Sequence, residues 1–266
     1  MSTRPRTVLV VGATGSVGRL VVAEAVWQGY STRALVRDPD RARRQLPDEA
    51  ELMVGDVTRP DTLPRAADQV DAVVFTLGSD GAGKTGAEAV DYGGVRNILT
   101  ALGNSPVRAA LMTSIGVTNR NSGYNRSTQA HDWKRRSERL VRASGHPYTI
   151  VRPGWFDYNT PDQQQVVLLQ GDTRQAGDAS DGVIARRQIA RVLVDSLSSD
   201  AAAGKTFELV AETGTAPGDL TPLFEALQDD RPGDLDGVGD APNMPLADEP
   251  DRVRADLDAL TAGGLP

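Results

Sequence analysis

The chain has no cysteine and only two histidines, His131 and His146, among its 266 residues. The first absence excludes a disulfide framework, zinc–thiolate sites and thiol nucleophiles, and the second leaves little from which to build a metal centre, so no metal is expected. Long apolar runs are missing too. The N-terminal stretch 7–11 before Gly12 is too short for the apolar part of a secretory signal or for a membrane span, so no membrane partner and a cytoplasmic location are expected. Concentrated positive charge is also lacking: 29 Lys+Arg against 36 Asp+Glu give a net charge of −7, and the basic residues are dispersed, which argues against a nucleic-acid partner.

What is present is a recurring pattern. Short apolar, β-branched runs at 7–11, 31–36, 51–54, 71–76, 109–114 and 148–151 read as strands, and helix-like segments near 16–28, 60–67, 88–102 and 131–143 lie between them. Such alternation implies an α/β fold, a doubly wound parallel sheet of Rossmann type with crossover helices on both faces. Ligands of such sheets sit beyond the carboxyl ends of the strands. Residues 1–152 would form this core. Residues 153–215, with a helix at 186–197 and a strand at 205–210, would form a smaller substrate-side lobe completing the same domain. The Pro-, Gly- and Asp-rich tail 216–266 would be an appended surface loop and helix. No internal repeat is apparent.

Gly12, Gly15 and Gly18 follow the first strand and open the first helix. In that context the first glycine permits the tight turn, the second lets backbone approach a pyrophosphate, and the third lets the helix pack closely. Thr14, Ser16 and Val17 complete the loop, and amides at a helix start favour an anion. The end of the second strand then discriminates between dinucleotides. Arg37, 19 residues after Gly18, and Arg41 stand where a 2′-phosphate would be received, which favours NADP(H) over NAD. The alternative is that both pair with Asp38 and Asp40 on a solvated face, and Arg33 reads as structural. Asp56 and Val57, ending the third strand, would flank an adenine, unless Asp56 merely caps the next helix. Thr76, Leu77 and Gly78 would pass under the cofactor ribose.

Taken in order, "GATGSVG", "RALVRD", "GDV", "DYGGVRNIL", "MTS" and "YTIVRPGWF" resemble the atypical short-chain dehydrogenases/reductases of the NmrA-like NAD(P)H-binding group, over roughly residues 7 to 200. The resemblance implies a dinucleotide extended across the strand ends, with the nicotinamide near strands four to six and close to Pro153. It also implies a Tyr-x-x-x-Lys pair, in which the lysine holds the ribose and lowers the tyrosine pKa. Lys134 matches the lysine, but Ala130 stands at the tyrosine position. Ordinary alcohol dehydrogenase chemistry thereby loses its usual proton donor. A quinone or other conjugated acceptor forms a stabilised anion and is compatible with that loss. Ser114 matches the strand-end hydroxyl of flavin and biliverdin reductase-like relatives, although Ile115 occupies the position where extended relatives place theirs. Tyr124, His131 and Tyr158 are candidate substitutes for the missing acid. Trp155 and Phe156 would wall the pocket of a planar acceptor, and Lys84 would sit in a loop beside the nicotinamide.

A competing pattern is "GSDGAGKT" at 78–85, which formally satisfies the triphosphate-binding expression. That motif belongs after a first strand, where this chain already carries its glycine turn. The expectation is an NADPH-dependent reductase of a small-molecule quinone or conjugated carbonyl. The alternatives are a non-catalytic NADP(H)-binding redox sensor and, less favoured without the tyrosine, a nucleotide-sugar epimerase or dehydratase. A homodimer through the helices at 88–102 and 131–143 is left open.

Overall fold

The computed structural model describes residues 6–79 and 81–261. Its sheet has ten strands: β1 (Thr7–Val11), β2 (Ser31–Val36), β3 (Glu51–Val54), β4 (Ala72–Phe75), β5 (Arg108–Met112), β6 (Tyr148–Pro153), β7 (Trp155–Phe156), β8 (Gln165–Leu169), β9 (Val183–Ile184) and β10 (Lys205–Glu212). The order is β3-β2-β1-β4-β5-β6-β10-β9-β7, with β8 pairing antiparallel to β10. The strands from β3 across to β10 are mutually parallel, and the order reverses between β1 and β4. That reversal opens the crevice in which folds of this kind take ligands.

Alternation along β1 divides the core between two faces. Val8 and Val10 pack beneath the helices Gly18–Trp27 and Arg186–Ser196, while Leu9 and Val11 face the layer of Gly93–Leu102 and Ala130–Ala143. Continuous apolar runs are what a sheet covered on both faces requires. The six N-terminal strands stand where the sequence pattern predicts, within one or two residues. β7, β8 and β9 are unpredicted: two are only two residues long, and β8 is a short run behind a polar glutamine stretch.

The tail departs most from expectation. Read as an appended surface segment, it supplies the counter-charges of a buried cluster. The helix Ala130–Ala143 buries Arg135, Arg136 and Arg139, and the tail residues Asp236 and Glu249 pair with them at 2.6–3.0 Å. Buried Arg152 on β6 is shared between Asp240 at 2.6 Å and Glu138 at 2.7 Å. A buried guanidinium is tolerated only when its donors are satisfied, so this acid-rich loop is a condition of the helix's sequence. Val253 and Leu257 of the helix Asp251–Thr261 then complete the apolar layer. The same helix bears on the open question of a dimer. Asp256 accepts hydrogen bonds from Tyr92 Oη at 2.8 Å and Arg96 Nε at 2.7 Å, so part of the first helix considered for that contact, 88–102, is covered by the chain itself.

Candidate active site

The glycine turn is fixed by close approach. Gly12 has φ +85°, and a Cβ there would lie 2.8 Å from the Thr76 carbonyl oxygen; a Cβ on Gly18 would lie 2.1 Å from the Gly12 carbonyl oxygen. No larger residue fits either position without moving backbone. Thr76 locks the turn from β4, its hydroxyl donating to the Val11 carbonyl at 3.0 Å. Thr14, Gly15 and Ser16 stand exposed above the turn, whereas Val17 is buried. The helix that begins at Gly18 has no capping side chain and no acid in its first turn. An uncapped helix start behind an exposed loop suits a pyrophosphate.

Along the strand ends, Arg37 and Arg41 are exposed. The acids beside them are engaged elsewhere. The Asp38 carboxylate accepts the Arg41 backbone N–H at 3.0 Å as a helix cap, and Asp40 pairs with Arg43 at 3.1 Å. Among the described residues neither Arg37 nor Arg41 has an ion pair, so the solvated pairing with Asp38 and Asp40 is not formed. Arg33 pairs with Glu51 at 3.0 Å, a link between β2 and β3. Asp56 accepts both the N–H and the hydroxyl of Thr58 at 2.9 and 2.8 Å. Partial burial pushes its pKa upward, but the Thr58 bonds and the charges of Arg37 and Arg59 outweigh that and leave it below the usual value. Asp56 is thus a turn residue that also lies within the field of Arg37. Val57, half-buried, packs against Gly94, where a Cβ would come within 3.1 Å.

Farther along, Lys134 Nζ bonds Asp91 at 3.0 Å and reaches the Leu77 carbonyl at 3.4 Å. Asp91 sits in the π-helical turn Ala87–Tyr92, which directs its buried carboxylate inward, where it also accepts from Ser79 Oγ at 2.8 Å. The ammonium is thereby fixed beside the backbone that ends β4, with Gly78 exposed next to it. Lys84 is not part of this group: it is exposed on the short helix Gly83–Gly86, outside the cleft described next. The octapeptide 78–85 follows β4 rather than β1, and its Asp80 lies outside the described residues.

Beyond β5 and β6 a cleft of about 540 Å³ brings together Ser114, Tyr124, His131, Pro153, Trp155, Phe156 and Tyr158, which lie on separate segments of the chain. Ser114 Oγ and His131 Nδ1 are buried without a hydrogen-bond partner. Buried polar atoms rarely stay unpaired, and two on one concave wall mark a place for a polar ligand atom. Burial lowers the His131 pKa, with the Asp172 charge and a bond to the Asn119 backbone partly offsetting it, so the imidazole is neutral near pH 7. Its ring lies 5.2 Å from that of Tyr124, and Trp155 meets Tyr158 edge-on at 6.2 Å. Ala130, at the tyrosine position, is buried in the core. Sequence reasoning missed Arg186 and Asp181 on the cleft wall, since nothing in "DGVIARRQ" separates them from surface charges.

A switch-point crevice, a glycine-bound helix start and an aromatic cleft beyond β5 and β6 define a dinucleotide-binding protein of the Rossmann class. The model of an NAD(P)H-binding family matches residues 12–200, and the chain belongs to that family. Among its relatives, protein TIC 62, chloroplastic, of Pisum sativum is 30% identical over 83% of this chain and 45% of that one. YhfK of Bacillus subtilis, named an uncharacterized sugar epimerase, is 28% identical over 83% and 98%. Sanguinarine reductase of Eschscholzia californica is 26% identical over 85% and 96%. The fold is shared with the oxidoreductase ylbE of Lactococcus lactis (TM-score 0.65, 17% identity, 83% and 96% covered). It is shared also with a short-chain dehydrogenase/reductase of Veillonella parvula in complex with NADP (TM-score 0.60, 16%, 81% and 100%). No helix among the described residues is long and apolar enough to cross a membrane.

Proposed function

We propose that the protein is an NADPH-dependent reductase of a planar quinone or conjugated carbonyl compound, with residues 153–215 as its substrate-side lobe and the cytoplasm as its location. The observation that carries this reading is the pair Ser114 Oγ and His131 Nδ1, unpartnered on one aromatic cleft. The residues fit the dinucleotide: Gly12 to Gly18 receive the pyrophosphate, Arg37 and Arg41 the 2′-phosphate, and Lys134, steadied by Asp91, has a donor to spare for a ribose hydroxyl. When bound, NADPH supplies the hydride.

The chain's own part is placement. The Ser114 hydroxyl donates to the acceptor carbonyl oxygen, where negative charge grows, and neutral His131, whose other ring nitrogen serves the Asn119 backbone, offers Nδ1 as an acceptor for a hydroxyl or N–H of the ligand. Trp155, Phe156 and Tyr158 present aromatic surface to a planar molecule and exclude water. With Ala130 the chain has no acid of the usual kind, which suits an acceptor whose reduced anion is delocalised and disfavours sugar epimerisation. The same alanine supports a second reading, a redox sensor that binds NADP(H) without turnover.

The test is NADPH consumption, followed by the absorbance of the reduced nicotinamide, with quinones, flavins and activated ketones offered in turn. Oxidation that depends on one acceptor class is expected. Tight NADPH binding without oxidation by any of them would replace the reductase with the sensor.

A further inference from the structure

Arg186 stands on the cleft wall with one edge of its guanidinium engaged and the other free. Asp157 takes the engaged edge, accepting from Arg186 Nη1 and from the Arg186 backbone N–H at 3.0 Å. The central carbon of the guanidinium lies over the Phe156 ring, 5.0 Å from its centroid. Arg186 Nε is buried and has no hydrogen-bond partner. Nη2 has none among the described residues either, so the Nε–Nη2 edge presents two parallel donors. That edge matches the two oxygens of a carboxylate side-on.

The other charged residue lining the cleft does not compete. Both oxygens of Asp181 are taken by backbone N–H groups, of Ala176 at 2.6 Å and Gly177 at 2.7 Å. His131 is neutral, and the remaining lining is aromatic, aliphatic, amide, hydroxyl or glycine. Arg186 is therefore the one charge on the wall with donors left for a ligand.

Resting on the reductase reading of this cleft, we infer that the acceptor is a planar molecule bearing a carboxylate, read side-on by Arg186 Nε and Nη2 while Ser114 engages its carbonyl. Phe156 lies against the guanidinium and Asp157 fixes its rotation, which makes both positioning residues for Arg186.

The test is equilibrium dialysis of anthraquinone carboxylate and of its neutral carboxamide against the protein saturated with NADP+, in the wild type, Arg186→Gln and Arg186→Lys. The wild type should prefer the carboxylate by about tenfold or more, as a charge-assisted bidentate pair would. Arg186→Gln should abolish the preference, and Arg186→Lys, which keeps the charge without the fork, should recover only part of it. Equal affinity of the wild type for both probes, or a preference surviving in Arg186→Gln, would overturn the assignment; full retention in the lysine variant would overturn the side-on geometry. Failure of the reductase reading is distinct: it would appear as no NADPH oxidation by either quinone, with the binding preference intact.

Discussion

The glycine turn at 12–18 and the cleft beyond β5 and β6 are assembled in opposite ways. The turn is contiguous in sequence and made of backbone; its specificity lies in atoms that are absent, the β-carbons of Gly12 and Gly18. The cleft is drawn from separate stretches of the chain, around 114–131, 153–158 and 175–186, and its character lies in side chains. A turn of the first kind tolerates almost no substitution and recognises a group common to many dinucleotides. A wall of the second kind can change residue by residue without moving the sheet, so it is where one reductase can differ from another.

Variants can break this contrast. The largest effect is expected from Gly18→Val. Its first added carbon alone would lie 2.1 Å from the Gly12 carbonyl oxygen, so turn and helix start must separate. Stability should fall by about 1–3 kcal/mol in urea unfolding. NADPH affinity, by calorimetry, should fall by at least ~100-fold, the equivalent of ~3 kcal/mol. Unchanged NADPH binding in a folded Gly18→Val protein would mean that the pyrophosphate is held elsewhere.

A smaller and more selective loss is expected from Arg37→Ala combined with Arg41→Ala. Both side chains are exposed, so folding should be untouched. NADPH affinity should drop about 10–100-fold while NADH affinity changes little, as removal of two charge-assisted contacts to one phosphate requires. Equal losses for the two dinucleotides would refute the 2′-phosphate assignment.

The same contrast explains what was legible beforehand. Strand-ending residues such as Gly12, Arg37, Thr76 and Ser114 were legible because a parallel sheet fixes where a run of apolar residues must stop, and function gathers at those stops. His131 was the harder case. Helical geometry puts its side chain about 100° from that of residue 130, so it could not simply take the place of the missing tyrosine. In the structure that offset places the two residues in different surroundings: Ala130, at the start of its helix, faces the core, and His131 reaches the cleft. Arg186 and the acids Asp236, Asp240 and Glu249 were illegible for a different reason. A charged residue in a loop reads as solvated until its partner is known, and these partners lie 29 to 113 positions away.

The smallest expected effect connects the cleft to pH. Glu208 on β10 accepts the Asp172 backbone N–H at 3.1 Å and a bond from Arg152 at 3.3 Å. The Asp172 carboxylate in turn holds the backbone N–H groups of Gly116 and Thr118 at 2.6 and 2.7 Å, and Gly116 lies on the cleft wall. Burial pushes the Glu208 pKa up from 4.5 to about 7; Arg152 and the Asp172 amide oppose the rise, and the charges of Asp172 and Asp240 add to it. A carboxyl whose folded pKa lies above its unfolded one keeps its proton in the native state after the unfolded chain has lost it. Its contribution is complete below the unfolded pKa and fades as pH rises through about 7. Glu208→Gln keeps the size and an acceptor oxygen but cannot ionise. Between about pH 5 and 8 the variant should therefore lose less Tm than the wild type, by roughly 2–5 °C, with the gap widest at the alkaline end. Parallel Tm profiles would show that Glu208 does not titrate there. The turn supplies the control: Asp56, in the field of Arg37, is held below its usual pKa, so the affinity for NADH, which carries no titrating 2′-phosphate, should stay level over a range in which the cleft's supporting acid changes charge.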